Sequence, residues 1–423
     1  WVRQAATGLS MRLHLNATAT GAVDDLAAAA FEVSGGFAEG RFEHSRLPFP
    51  LTDMTASFTA DREGISVTGA SARSGAMLFR GSAQAHGWNE QADFTCLMEA
   101  ERLVVGRQWQ PFLPPEWAGH WRKLLPQGEV DLRAELSRTA GTLVPKVSVR
   151  CRNLSLTHYR FPYRLDRTVG TVILDGRLVT LHLTGQAGGN AVQVTGSVRL
   201  LEHGSVGQIE VRGNSLPIDD RLLAAMPDKG ADVLRRLRAA GTFDFTFRHN
   251  RDPRVPKGHV NSLDIRLTDC SLRYLRFPYP LTRVRGNVRM HEGEWTLTGL
   301  TGRNDTGEVH CSGQLVRGAD GKDLLTLDLA GSRVVLDQEL RDALPAGVGR
   351  FWDDLSPRGQ ADFSATVRHV IGTPQTQVLL EATPHGDTVS IEPVWFPYRL
   401  EQLQGQLTWN DGLLELDNWR GVH

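Results

Sequence analysis

The 423-residue sequence has no uninterrupted apolar run near the roughly 18 residues that a membrane-spanning helix needs. Its first residues, Trp1-Val2-Arg3-Gln4, do not form a signal peptide. Only four cysteines occur, Cys96, Cys151, Cys270 and Cys311, and no two of them make a Cys-x-x-Cys pair, which excludes a zinc ribbon or a thioredoxin-type motif. They are expected as small buried apolar residues rather than as disulfides. Lys and Arg number 47 against 48 Asp and Glu, so the basic surface that a nucleic-acid partner requires is missing. Catalytic signatures are absent too: there is no Gly-x-Ser-x-Gly elbow, no phosphate-cradling loop and no calcium loop, and none of the fourteen histidines has zincin spacing. His291-Glu292-Gly293-Glu294 lacks the second histidine and reads as a solvated hairpin turn. No pair of carboxylates stands out as the acid and base of a glycan-cleaving site. The chain is read as a non-enzyme without a cofactor or a metal.

What is present is a repeat. A Pro-aromatic pentapeptide occurs as Phe161-Pro162-Tyr163-Arg164-Leu165, Phe277-Pro278-Tyr279-Pro280-Leu281 and Phe396-Pro397-Tyr398-Arg399-Leu400, with a degenerate Leu47-Pro48-Phe49-Pro50-Leu51 upstream; the starts lie 114, 116 and 119 residues apart. Turn glycines follow at Gly64, Gly176, Gly293 and Gly412, and a glycine after a short apolar run recurs at Gly81, Gly196 and Gly313. Pro114/Trp121/Gly128, Pro227/Leu234/Gly241 and Pro345/Trp352/Gly359 keep one spacing, and Trp1 and Gly8 fit its last two positions. The expected organisation is a repeat tail over 1–20, β-groove repeats over 21–138, 139–250 and 251–370, and a truncated fourth over 371–423. On this reading the chain is a segment of a longer protein.

Most of each unit alternates with period two, the pattern of strands with one apolar and one wet face. Phe243, Phe245 and Phe247 alternate with Thr242, Asp244, Thr246 and Arg248; Trp295 and Leu297 with Thr296 and Thr298; Leu325, Leu327 and Leu329 with Thr326 and Asp328. Six or seven strands fit into each unit. One short amphipathic helical segment interrupts each, near 107–124, 219–237 and 337–355, with Asp337 as a helix N-cap. The pentapeptide's fixed φ and missing N–H suit a structural corner at the start of a strand.

Seven strands at about 4.8 Å spacing would make a sheet roughly 34 Å wide, of which one helix covers about 10 Å. The uncovered apolar face has three solutions: a sandwich, a barrel closed within each unit, or a continuous curved sheet whose trough is covered by a ligand with hydrocarbon tails. Periodicity alone does not choose between them.

The stretches VILDGRLVTLHLTGQAGGNAVQVTGSV (172–198) and VRMHEGEWTLTGLTGRNDTGEVHCSGQLV (288–316), with VVLDQELRDALP (334–345) and LSPRGQADFSATV (355–367), resemble the AsmA-like superfamily, which includes the TamB-like proteins. The resemblance implies a mainly β fold of tandem antiparallel repeats of about 116 residues, forming one long, curved, groove-like sheet with a helical segment per repeat. It further implies transport of phospholipid across a periplasm, an inner-membrane anchor outside this chain, and membrane partners at the two ends of the full-length protein. Phe243, Phe245, Phe247, Trp295, Leu297, Leu325, Leu327 and Leu329 are the expected lining of the groove, in contact with phospholipid acyl chains. The competing expectation is a structural or adhesive stalk of closed β modules, which predicts separate cores and linkers between units.

Overall fold

Long period-two stretches bounded by tight turns leave the backbone one economical arrangement, an antiparallel meander in which each strand pairs with its predecessor. The computed structural model has it: 68% of the chain is strand and 11% helix, and all 22 strands belong to one antiparallel sheet. The structure describes residues 9–20, 30–44, 47–89, 91–113, 115–374, 376–396 and 398–423, with the backbone alone at 115–117. Trp1, Gly8, Pro114 and Pro397 therefore lie outside the described residues.

The chain forms two compact units. In the first, residues 1–209 with 251–254, the strands are β1 (Leu9–Thr20), β2 (Ala30–Phe42), β3 (Leu51–Asp61), β4 (Gly64–Ser74), β5 (Met77–His86), β6 (Asp93–Val105), β7 (Gln127–Thr139), β8 (Thr142–His158), β9 (Phe161–Asp175), β10 (Leu178–Ala187) and β11 (Asn190–Leu200). Each pairs with the next, from β1 through β11. A 3₁₀ turn (Arg107–Phe112) and α1 (Pro115–Leu124) separate β6 from β7. The expected boundary near 138 is crossed without a gap, since β7 and β8 stay in register out to Thr139 and Thr142.

β12 (Ser205–Pro217) leads into the second unit, residues 210–250 with 255–423. There α2 (Asp220–Ala225) and α3 (Asp228–Arg236) precede β13 (Ala240–Arg251), β14 (His259–Tyr274), β15 (Phe277–His291), β16 (Glu294–Asn304), β17 (Gly307–Arg317) and β18 (Asp323–Val335). Then α4 (Gln338–Ala343) and α5 (Ala346–Leu355) lead to β19 (Gln360–Val370), β20 (Thr376–Pro384), β21 (Glu401–Asn410) and β22 (Leu413–Val422). Sequential pairing runs from β14 through β22, and β19 pairs with β20 across the boundary near 370. The repeat is thus six strands and one helical segment. The second and third segments begin with an aspartate cap, the expected Asp337 and its counterpart Asp219, whose carboxylates accept from the N–H groups of Leu340 and Leu222 at 2.9 Å each, while the 3₁₀ turn that opens the first has no side-chain cap.

Three devices recur at the helix-bearing ends of the strands. Non-glycine residues with positive φ stand six places after each pentapeptide start, at Asp53, Arg167, Arg283 and Gln402, where the registers slip into bulges. A second set, Arg102, Ser215 and Arg333, closes the sixth strand of each repeat, and each donates its main-chain N–H to an aspartate on the strand after the helices: Asp131 at 3.0 Å, Asp244 at 2.8 Å and Asp362 at 2.8 Å. The third device explains the pentapeptide. The residue two before its phenylalanine, Tyr159, Leu275 or Val394, donates its N–H to a carbonyl in the last turn of the preceding helix, that of Lys123, Arg236 or Asp354. The pentapeptide is therefore a docking corner, with Phe and Tyr rings 5.6–6.1 Å apart in the three full copies.

The dry core sits at these same ends. In the first unit Met77, Leu103, Val130, Cys151 and Leu154 are buried together with Trp109 and Phe49 packed against them, the two rings meeting edge-on at 5.6 Å. In the second, Tyr279, Val334 and Ala343 are buried, with Leu281, Leu340 and Phe363 around them. Gly128, Gly241 and Gly359 start the strands after the helices at φ of 112–139°, and a Cβ on them would collide with the carbonyl oxygens of Asn153, Asp269 and Thr388.

Candidate functional site: the apolar face of the sheet

Residues directly opposite each other in an antiparallel pair project to the same side, so the register identifies each face. In the second unit one chain of partners runs Ile265–Val288–Leu297–Gly313–Leu327–Val367–Val378 across seven strands. Its neighbour runs Met290–Trp295–Leu315–Leu325. The face continues through Leu380–Trp409–Leu414 to β22. In the first unit Leu15–Gly35–Phe58–Val67–Ala83–Cys96–Leu136 does the same from β1 to β7, and Val149–Val172–Leu181 from β8 to β10.

The opposite face is ionic. Arg248 bridges Glu210 at 2.7 Å and Asp264 at 3.0 Å, Arg212 joins Glu210 at 2.6 Å, and Arg289 joins Asp264 at 2.7 Å. In the first unit Arg133 holds Glu99 at 2.6 Å and Arg80 holds Glu101 at 2.6 Å. The arginines of these pairs are about half exposed or more, although Glu210 is largely covered, so solvent screens the pairs and they contribute little stability. They do place Asp264 below the ordinary carboxylate range, chiefly through the hydrogen bond from Arg289.

All eight residues expected to line a groove are half-buried; of their alternating neighbours Arg248, Thr296, Thr298 and Asp328 are exposed, while Thr242, Asp244, Thr246 and Thr326 are half-buried as well. Trp295, Leu297, Leu325, Leu327 and Leu329 share the apolar face through the registers above. Phe243, Phe245 and Phe247 alternate with Arg248, whose ion pair to Asp264 fixes it on the wet side. Phe245 packs over Gly213, where a Cβ would lie 2.5 Å from its ring. Away from the helices the face is barer still, with Met98 45%, Leu15 51% and Leu416 52% exposed.

The cysteines are free thiols: Cys151 and Cys270 are buried, Cys96 and Cys311 half-buried, and burial pushes the Cys151, Cys270 and Cys311 thiols up. The 291–294 segment forms the β15–β16 hairpin. There Glu292 does more than meet solvent, accepting the Asn261 N–H at 2.8 Å. Among the described residues no three His, Cys, Asp or Glu side chains gather as metal ligands, and no helix is long and apolar enough to cross a membrane.

Sequence reasoning missed the aspartate latches, although Asp131, Asp244 and Asp362 each stand three residues after a repeat glycine. Overlaying the repeats on Gly128, Gly241 and Gly359 would have exposed them. Comparison with known proteins yields no matching family model, no matching curated protein and no matching solved structure.

Proposed function

We propose that this chain is a segment of a bridge-like lipid carrier, similar to the AsmA-like and TamB-like proteins, whose apolar sheet face holds phospholipid acyl chains as they pass between membranes. The carrying observation is a continuous apolar face, nine strands wide in β14–β22, that the helices cover only at one end of the strands. Each CH₂ removed from water contributes about 0.8 kcal/mol, so a bare hydrocarbon face of this kind favours an acyl occupant. An ionic reverse face suits a protein bathed in water on that side. In this reading the segment works in the periplasm of a two-membrane cell envelope, with its inner-membrane anchor and its membrane partners outside this chain.

The test is mass spectrometry of organic extracts from the purified chain after expression and detergent-free isolation. Phospholipid in stoichiometric or higher amount is the expected result. Absence of lipid, with none taken up from vesicles, rejects conduction in favour of a structural stalk.

A further inference from the structure

Across the paired apolar-face positions of β1–β11, among the described residues, Arg138 carries the one charge. It lies at the strand ends remote from the helices, directly opposite Phe94, with its guanidinium 5.0 Å from the centre of that ring. Its Nε and Nη2 donate to the Ala92 carbonyl at 3.0 and 2.6 Å. A guanidinium has five N–H donors, so three remain. Arg80, Arg133 and Arg152 on the wet face each have a carboxylate. Arg138 has none among the described residues.

The guanidinium borders a depression of about 450 Å³ floored by Ile65, Val67, Ala83, Ala85 and Phe94. Trp88 flanks it, 58% exposed, with its indole N–H tied to the Asp61 carbonyl at 2.9 Å. A fixed cation at the edge of an apolar floor, beside an amphipathic ring, complements a ligand with an anionic oxygen-rich head and a hydrocarbon body. Ten residues after Gly128, Gly241 and Gly359 stand Arg138, Arg251 and His369, whereas ten after Gly8 stands Thr18.

We propose that Arg138 binds the phosphate of an anionic phospholipid, so that headgroups sit at the helix-remote rim while the tails lie across the apolar face. This rests on the lipid-carrier reading and adds to it a headgroup preference and an orientation.

The test loads the parent chain and two variants, Arg138→Gln and Arg133→Gln, from vesicles of equimolar phosphatidylglycerol and phosphatidylcholine, and reads the bound ratio by mass spectrometry beside a thermal melt. The parent is expected to enrich phosphatidylglycerol by roughly fivefold, the scale of one partly solvated ion pair. Arg138→Gln should bring the ratio to near unity while still carrying lipid, with melting lowered by a few degrees at most through the lost bonds to the Ala92 carbonyl, and Arg133→Gln, which removes the same charge from the wet face, should leave the enrichment intact. Equal loss in both variants, or an unchanged ratio in Arg138→Gln, overturns the headgroup site while leaving lipid carriage standing. No lipid on any of the three proteins overturns both. Should inorganic phosphate at millimolar concentration abolish the enrichment, the site takes free phosphate and the orientation is wrong.

Discussion

The main-chain N–H of Arg333 donates to the Asp362 carboxylate at 2.8 Å across twenty-nine residues of sequence. Arg333 has a φ of 53°, a conformation that side-chain-bearing residues adopt uncommonly, so its strand bends and its N–H leaves the ladder. The aspartate satisfies that orphaned donor and ties the sixth strand of one repeat to the first strand of the next. Arg102 with Asp131 and Ser215 with Asp244 repeat the arrangement.

Removing the acceptor should loosen the bulge without collapsing the sheet. Asp244→Ala is expected to cost about 1 kcal/mol, the scale of one hydrogen bond at a partly solvated site, and Asp244→Asn to recover part of it. Urea melts of the second unit's signal measure both. Equal stability of the alanine variant and the parent would show that solvent serves Ser215 as well as the carboxylate does.

Acid should release the same latches. Burial opposes ionisation of Asp131 and Asp362. The Arg152 side chain with the Arg102 N–H at Asp131, and the His385 side chain with the Arg333 N–H at Asp362, outweigh it and hold both carboxyls below the ordinary value. A depressed carboxyl contributes stability that is complete above its unfolded value and lost as pH falls through the folded one. Stability is thus expected to decline below the ordinary carboxylate range, and the Asp131→Asn/Asp362→Asn double variant to decline less steeply. Parallel acid titrations of parent and variant, followed by circular dichroism, decide it.

Tyr279 gives the opposite sign at the other end of the pH scale. Burial first, and then the carboxylates of Asp337, Glu339 and Asp305, push its phenol up to about 12. Its hydroxyl has no hydrogen-bond partner among the described residues and the side chain is 6% exposed. The neutral phenol is favoured in the fold, so this contribution is complete below the unfolded value near 10 and is lost as pH rises toward 12. Tyr279→Phe removes an unsatisfied hydroxyl and is expected to change stability at pH 7 by less than about 1 kcal/mol while blunting the alkaline loss. Tyr279→Ala leaves a cavity under Leu340 and Ala343 and is expected to cost about 3–5 kcal/mol. Alkaline unfolding curves of the three proteins test the assignment.

What the sequence made legible was the side each residue takes. Alternation at Trp295 and Leu297, or at Leu325 to Leu329, is a local property of a strand, and the register bears it out strand by strand. The helical segments were legible for the same reason, through the Asp337 cap and the repeated spacing of Pro227 and Pro345. The bulges were not: Asp53, Arg167, Arg283 and Gln402 take positive φ with no glycine to announce it, because tertiary pairing imposes that conformation. Hence the division of the apolar face into a dry end under helices and a bare remainder could not be read from alternation. Nor does alternation alone set Arg138 against Phe94; the β6–β7 pairing does.

That division supplies a contrast within one strand. Leu327 and Val334 both belong to β18; Leu327 is half-buried on the open face, paired with Gly313 and Val367, while Val334 is 4% exposed beside Tyr279 and Ala343. A carboxylate at Val334 would have to stay ionised without a partner in the dry core or bind a proton there, and Val334→Asp is expected to cost more than about 3 kcal/mol and to unfold the second unit. At Leu327 the same carboxylate can turn toward water when the face is empty, so Leu327→Asp should melt within a few degrees of the parent. It would then stand among the acyl chains of any lipid held there, and bound phospholipid should fall severalfold. Melting curves and lipid extracts from the two variants, read together, separate an open face that serves a ligand from a core that serves the fold. If Leu327→Asp unfolds as readily as Val334→Asp, the face is a structural core and the carrier reading fails with it.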